Sequence, residues 1–276
     1  MKRMLLVLLV IALCISCGAL AEGMLKIVNC QDWVSLRSAP STQAERLAQV
    51  PLGALVTGEY DPYAEFSYCS YEGVSGYILN EYLEKVALYA QVGSFTVLGE
   101  REYIDAREVM EVVCRDAGGS ECWRRRFESP YSTELDCTDA FVGGTAVEPT
   151  VLVHVSGVGL TALDLYTGQE KWTLGEDVVS LGGSLSCAVG EDGTMYLGGY
   201  YGPDPVAISV DGEVLWQSSS VYGEGDGYPL DFYWLYELEL GPDGLTATYD
   251  MSADERGGQV LYSLDGQMLS YCFTAD

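Results

Sequence analysis

The sequence predicts an all-β protein. Three observations support this: turn dipeptides recur along the chain, strand-type alternation lies between them, and helical periodicity is scarce. Asp-Gly or Thr-Gly pairs place glycines at 168, 193, 212, 244 and 266, each flanked by apolar or alternating residues. Such glycines supply the positive φ angles of tight hairpins. Tyr236-Glu237-Leu238-Glu239-Leu240 alternates with period two, as a half-buried strand does. Asp105 to Val113 is the one stretch with a helical look, and it is too weak to assign a helix.

The chain opens with an export pattern. Lys2 and Arg3 precede an unbroken apolar run from Met4 to Ile15, and small residues follow to Ala19-Leu20-Ala21. A basic start, a short apolar core and an A-x-A ending read as a secretory signal peptide, residues 1–21, cleaved before Glu22. The run is too short to span a bilayer, and no second long apolar run follows. A lipid on Cys17 is the alternative, although Cys14 stands where a lipoprotein box has Leu. About 255 residues remain after cleavage, enough for one large or two small domains.

The 41 acidic residues against 14 basic ones give a net charge of −27. Repulsion from phosphates argues against nucleic acid and against anionic membrane surfaces. No segment has the ligand spacing of a calcium loop, so no metal is expected.

The mature cysteines are Cys30, Cys69, Cys114, Cys122, Cys137, Cys187 and Cys272. Export permits disulfides, and an odd count leaves a thiol free or shared between chains. A Cys30–Cys69 pair would staple the first part of the chain. Cys114 and Cys122 flank the turn at Gly118 at equal distances, which places them opposite each other in a hairpin. The single histidine, His154, lies in the β-branched run Thr150–Val155. It is expected to face solvent or a neighbour rather than to act in catalysis.

Residues 24–86 form the first part. They contain Trp33-Val34-Ser35-Leu36-Arg37-Ser38-Ala39-Pro40-Ser41, then Pro51-Leu52-Gly53, then Glu72-Gly73-Val74-Ser75-Gly76-Tyr77-Ile78, with Tyr82-Leu83 closing. In this order the segments resemble a bacterial SH3-like domain, the small barrel of exported and cell-wall proteins. Phe66 stands where many members have Trp. The resemblance implies a module that binds cell-wall peptide or glycan. Leu36, Phe66, Tyr68 and Ile78 are of core size. Trp33, Tyr60, Tyr63, Tyr71 and Tyr77 form either a surface ligand patch or barrel packing.

Residues 90–276 repeat. Gly168-Gln169-Glu170-Lys171-Trp172 matches Gly212-Glu213-Val214-Leu215-Trp216. Gly119-Ser120-Glu121-Cys122-Trp123 fits the same frame, and Gly266-Gln267-Met268-Leu269-Ser270 fits it with Trp lost. Thr161-Ala162-Leu163-Asp164-Leu165-Tyr166-Thr167-Gly168 resembles the repeat of quinoprotein-type (PQQ-like) β-propellers. The resemblance implies about four blades of four strands, each tryptophan packing on the next blade. It implies no quinone cofactor, because no calcium-bound catalytic site accompanies it. A closed ring, an open one and a ring completed by a second chain all remain open. Aromatics on Gly-rich loops, notably Tyr228 and Trp234, either grip a ligand or simply connect blades.

Two functions compete. The first is an exported, non-enzymatic binding or scaffold protein whose barrel meets peptidoglycan or another surface glycan or protein, and whose repeats present a second platform. The second is a secreted hydrolase of glycans or cell wall, with Glu237 and Glu239 as carboxylates on one strand face. No nucleophile–base pair points to a peptidase.

Overall fold

The computed structural model describes residues 23–105, 107–130, 138–179, 181–200, 205–218, 235–249 and 257–273. The proposed signal peptide, with Cys17, lies outside them, as do Cys137, Tyr228 and Trp234. Among the described residues, all regular structure is strand apart from one 3-10 turn, and no helix is long and apolar enough to cross a membrane. Asp105 to Val113, the helical-looking stretch, is a hairpin corner and a strand.

The first unit runs through β1 (Met24–Ile27), β2 (Trp33–Arg37), β3 (Arg46–Pro51), β4 (Leu55–Gly58), β5 (Phe66–Tyr71), β6 (Val74–Leu79) and β7 (Leu83–Lys85), with the 3-10 turn Asn80–Tyr82 before β7. These strands join in the order β3-β2-β6-β5-β4-β1-β7. Alternation directs Leu25, Ile27, Val34, Leu36, Val50, Val56, Cys69, Ile78 and Leu83 into one core, as period-two side chains require. Glu72 and Gly73 both take positive φ at the β5–β6 hairpin, the geometry of a type I′ turn. Gly76 lets β6 approach β2: a Cβ there would lie 2.4 Å from the Arg37 carbonyl oxygen.

Four four-stranded meanders follow. The first is β8 (Leu88–Val92), β9 (Phe95–Ile104), β10 (Arg107–Arg115) and β11 (Glu121–Glu128). The second is β12 (Thr138–Gly144), β13 (Pro149–Val155), β14 (Gly159–Asp164) and β15 (Glu170–Gly175). The third is β16 (Gly183–Val189), β17 (Met195–Tyr200), β18 (Val206–Ile208) and β19 (Val214–Gln217). The fourth is β20 (Leu235–Gly241), β21 (Gly244–Tyr249), β22 (Gly258–Tyr262) and β23 (Met268–Phe273). First strands neighbour one another, β8 beside β12, β12 beside β16 and β16 beside β20. Three apolar cores fill the three junctions. These are propeller-type blades: each meander is too thin to bury both faces alone and buries them against its neighbours.

A tryptophan latch locks each junction. The Trp123 Nε1–H donates to the Leu165 carbonyl at 2.7 Å, that of Trp172 to Val210 at 2.9 Å, and that of Trp216 to Leu264 at 2.7 Å. Each indole lies on the turn glycine of the next blade. A Cβ on Gly168, Gly212 or Gly266 would come within 2.6 Å of it, so only glycine fits.

The latch also shows where the array stops. Cross-strand register aligns Ala90-Val97-Cys114-Trp123 in the first blade, Phe141-Leu152-Ala162-Trp172 in the second and Ala188-Tyr196-Ala207-Trp216 in the third. The same row in the fourth blade is Glu239-Thr246-Leu261-Ser270. The turn at Gly119 in the first blade carries no indole, and nothing lies within 4 Å of its Cβ position. That blade's outer side bears an Arg124–Glu111 ion pair, and Glu100 there pairs with Lys26 of β1 at 2.7 Å. Among the described residues, three junctions carry a tryptophan latch, and the fourth blade has Ser270 at the latch position.

Candidate binding groove and a buried charge cluster

A cavity beside the first unit measures about 670 Å³, and Trp33 lines it. Trp33 begins β2 with its side chain outward, 41% exposed, and the Arg46 guanidinium sits 5.0 Å from its ring centroid. Phe66 and Tyr82 supply further aromatic surface, while Asp32, Glu81 and Arg37 supply charge. The local fold holds these walls in place. Asn29, at φ 58°, donates from Nδ2 to the Glu81 carbonyl at 3.0 Å, and the Val28 amide donates to the Tyr82 carbonyl. The Asp32 carbonyl accepts from Leu52, and Arg37 donates to the Ala44 carbonyl at 2.8 Å. Aromatic faces beside fixed polar groups suit a ligand with apolar planes and hydrogen-bonding edges.

The other aromatics named from sequence do not join Trp33. Tyr60 lines a separate cavity of about 260 Å³, under the Lys85 ammonium. Tyr71 packs against the core. Tyr77 stacks edge-on to Tyr68 at 5.1 Å on the outer face. Tyr68 was expected inside but is 54% exposed, because Ser67 and Cys69 hold the inward positions of β5. Phe66 does serve the groove, a role that its size alone did not indicate.

Neither expected disulfide is made. Cys30 and Cys69 are free thiols. Cys30 lies on the turn after β1, and β1 pairs with β4 and β7 rather than β5. Cys69 is buried in the core, and burial pushes its thiol up to about 11. Cys114 and Cys122 are also free. A bulge at Arg115 sets Cys114 opposite Trp123 instead. The two thiols nonetheless interact, and burial, reinforced by Cys122, pushes Cys114 up to about 11.

A second constellation lies between blades, and its residues are scattered in sequence. Asp139 and His154 are cross-strand partners. Arg101, from the first blade, donates to Asp139 Oδ1 at 2.9 Å and to the Thr138 carbonyl at 2.9 Å. Asp139 Oδ2 accepts the Leu185 amide of the third blade at 3.2 Å. One carboxylate thus ties three blades together. Buried Glu108 accepts the Thr138 amide at 2.9 Å and the Tyr103 hydroxyl at 3.2 Å. His154 is fully buried, its Nδ1 4.0 Å from Asp139 Oδ2, and neither ring nitrogen has a hydrogen-bond partner. Desolvation lowers its pKa to about 4, so the imidazole is neutral at physiological pH. It faces its cross-strand neighbour Asp139. Among the described residues, no group of three or more His, Cys, Asp or Glu side chains is placed to hold a metal.

Glu237 and Glu239 do share a face. Both are exposed on β20, opposite Thr248 and Thr246.

The fold defines a class, a β-propeller-like array preceded by a small seven-stranded unit. Solved structures agree at the level of fold. The chain superposes on Saccharomyces cerevisiae Sqt1 with a TM-score of 0.52 at 9% identity, over 91% of this chain and 79% of that one. BamB from Moraxella catarrhalis superposes at 0.43 and 15% identity, over 90% and 72%, too loosely to bear weight. No protein-family description matches the chain, and no curated protein matches it in sequence.

Proposed function

We propose that this is an exported, non-enzymatic binding protein of the bacterial surface. Its SH3-like barrel, residues 24–86, takes cell-wall peptide or glycan into the Trp33 groove, and its blades present a platform to a second partner. The groove carries the reading: an indole, Phe66 and Tyr82 stand beside Asp32, Glu81 and Arg37 in a cavity of about 670 Å³. Binding through stacking and hydrogen bonds survives moderate salt, and the net charge of −27 disfavours phosphate-rich partners. The mature chain begins at Glu22, which N-terminal sequencing checks.

The test is co-sedimentation of the full mature protein with purified wall sacculi. Trp33→Ala is expected to weaken retention about tenfold or more, as loss of a central aromatic anchor does. Equal retention of the variant, or none of the wild type, would remove the wall-binding reading.

The shared face of Glu237 and Glu239 favours glycan hydrolysis as a second reading. Release of soluble sugars by the wild type, lost in Glu237→Gln and Glu239→Gln, would establish it in place of the first.

A further inference from the structure

Outer strands of sheets invite pairing with another chain, and proteins blunt them with charge, proline or shortness. Most outer strands of this molecule follow that rule. β3 carries Arg46 and Pro51, and β7 is three residues long with Glu84 and Lys85. β11 carries Arg124, Arg125 and Arg126, β15 carries Glu170 and Lys171, and β19 has only four residues. The last strand does not. Gln267 to Phe273 contains no charge and no proline, and all six residues of β23 are exposed. Leu269 is 54% exposed and Tyr271 48%, with Phe273 edge-on to Tyr271 at 5.9 Å. No other described strand pairs with the far edge of β23.

We propose that β23 is the contact strand between two copies of this chain. Two copies each carrying −27 repel least where charge is absent, and among the barrel-edge strands and the fourth strands of the blades β23 is the longest without charge. Its sequence also suits a two-fold axis. An antiparallel pairing centred on Tyr271 sets Leu269 of each copy opposite Phe273 of the other, so one apolar row meets itself. This is the isologous contact that dimers favour. The same register places the two exposed Cys272 side chains on one face at a diagonal, about 7–8 Å apart.

The experiment uses the full mature chain with Cys122→Ser, which leaves Cys272 as the exposed thiol on a strand. Sedimentation velocity over a concentration series should show a monomer–dimer equilibrium. Added salt should strengthen it, because screening relieves the repulsion between like-charged copies. Tyr271→Lys and Leu269→Lys should each weaken the dimer about tenfold or more while leaving thermal unfolding of the monomer unchanged. A short bis-maleimide should join Cys272 to Cys272, with each thiolate adding across one maleimide double bond. A chain that stays monomeric at every concentration and salt overturns the proposal. So does a dimer untouched by both lysine variants, or one cross-linked through any other cysteine.

Discussion

The two regions of this molecule solve burial differently. The seven-stranded unit draws β1 to β4 and β7, and β2 to β6, across long sequence separations into one core. The blade array pairs only neighbours in sequence, then closes each junction with its own core and its own tryptophan. A closed unit stands or falls as one body, while a stacked array responds junction by junction. Damage in the array should therefore remain readable while the first unit persists.

The sharpest break is Trp123→Ala. The indole is nearly buried at the first junction and hydrogen-bonded to Leu165. Truncation of such a core aromatic costs about 3–5 kcal/mol. Hydrogen exchange should rise across β8–β15 while β1–β7 stays protected. Equal loss of protection in both regions would make the molecule one cooperative body.

Acid provides the next test. Folded His154 titrates near 4 rather than 6.5, so between those values the unfolded chain binds the extra proton and stability falls with pH. The stabilisation is complete above pH 6.5 and lost as pH drops through about 4, on the order of 3 kcal/mol in all. Denaturant unfolding of His154→Leu should fall less steeply than wild type over that window. Parallel pH profiles would show that the imidazole is not responsible. The charge change would act at the Arg101–Asp139 tie, far from the first unit's core.

The smallest effect expected is that of Ser270→Trp. Among the described residues no turn glycine faces position 270, so stability should move by no more than about 0.5 kcal/mol, as at ordinary surface sites. A large gain in melting temperature would mean that the added indole finds the turn at Gly119 and closes the ring.

Much of this architecture was legible in the chain. The glycine-to-tryptophan frame marks the three latch tryptophans and the Ser270 exception, because each stands four positions after a turn glycine, while the glycine it covers lies one repeat later. Directions and long-range partners were less legible. Tyr68 has the size for a core, but register gave the inward places to Ser67 and Cys69. Cys114 and Cys122 are free thiols in mutual contact, with Cys122 the extra residue of a bulge that no spacing reveals. Arg101, Glu108, Asp139 and His154 come from four strands of two blades, so their meeting is a property of stacking. Each alone reads as an ordinary surface charge or strand residue. Trp33 was named with four other aromatics and lines the cavity beside the first unit, whereas Asn29 holds the Glu81 carbonyl through a bond that leaves no sequence mark.

The latch has a direction, and direction becomes timing in a chain made from its N-terminus. Each of the three latch tryptophans points to a hairpin that does not yet exist when it is synthesised. Trp123 waits for Gly168, Trp172 for Gly212 and Trp216 for Gly266. A growing or translocating chain therefore always ends in one uncovered indole, a sticky end that the next blade caps. The wait ends at Ser270, where nothing further is owed. A chain cut before residue 258 would keep Trp216 uncovered, so truncated products carry the mark by which quality control could recognise them.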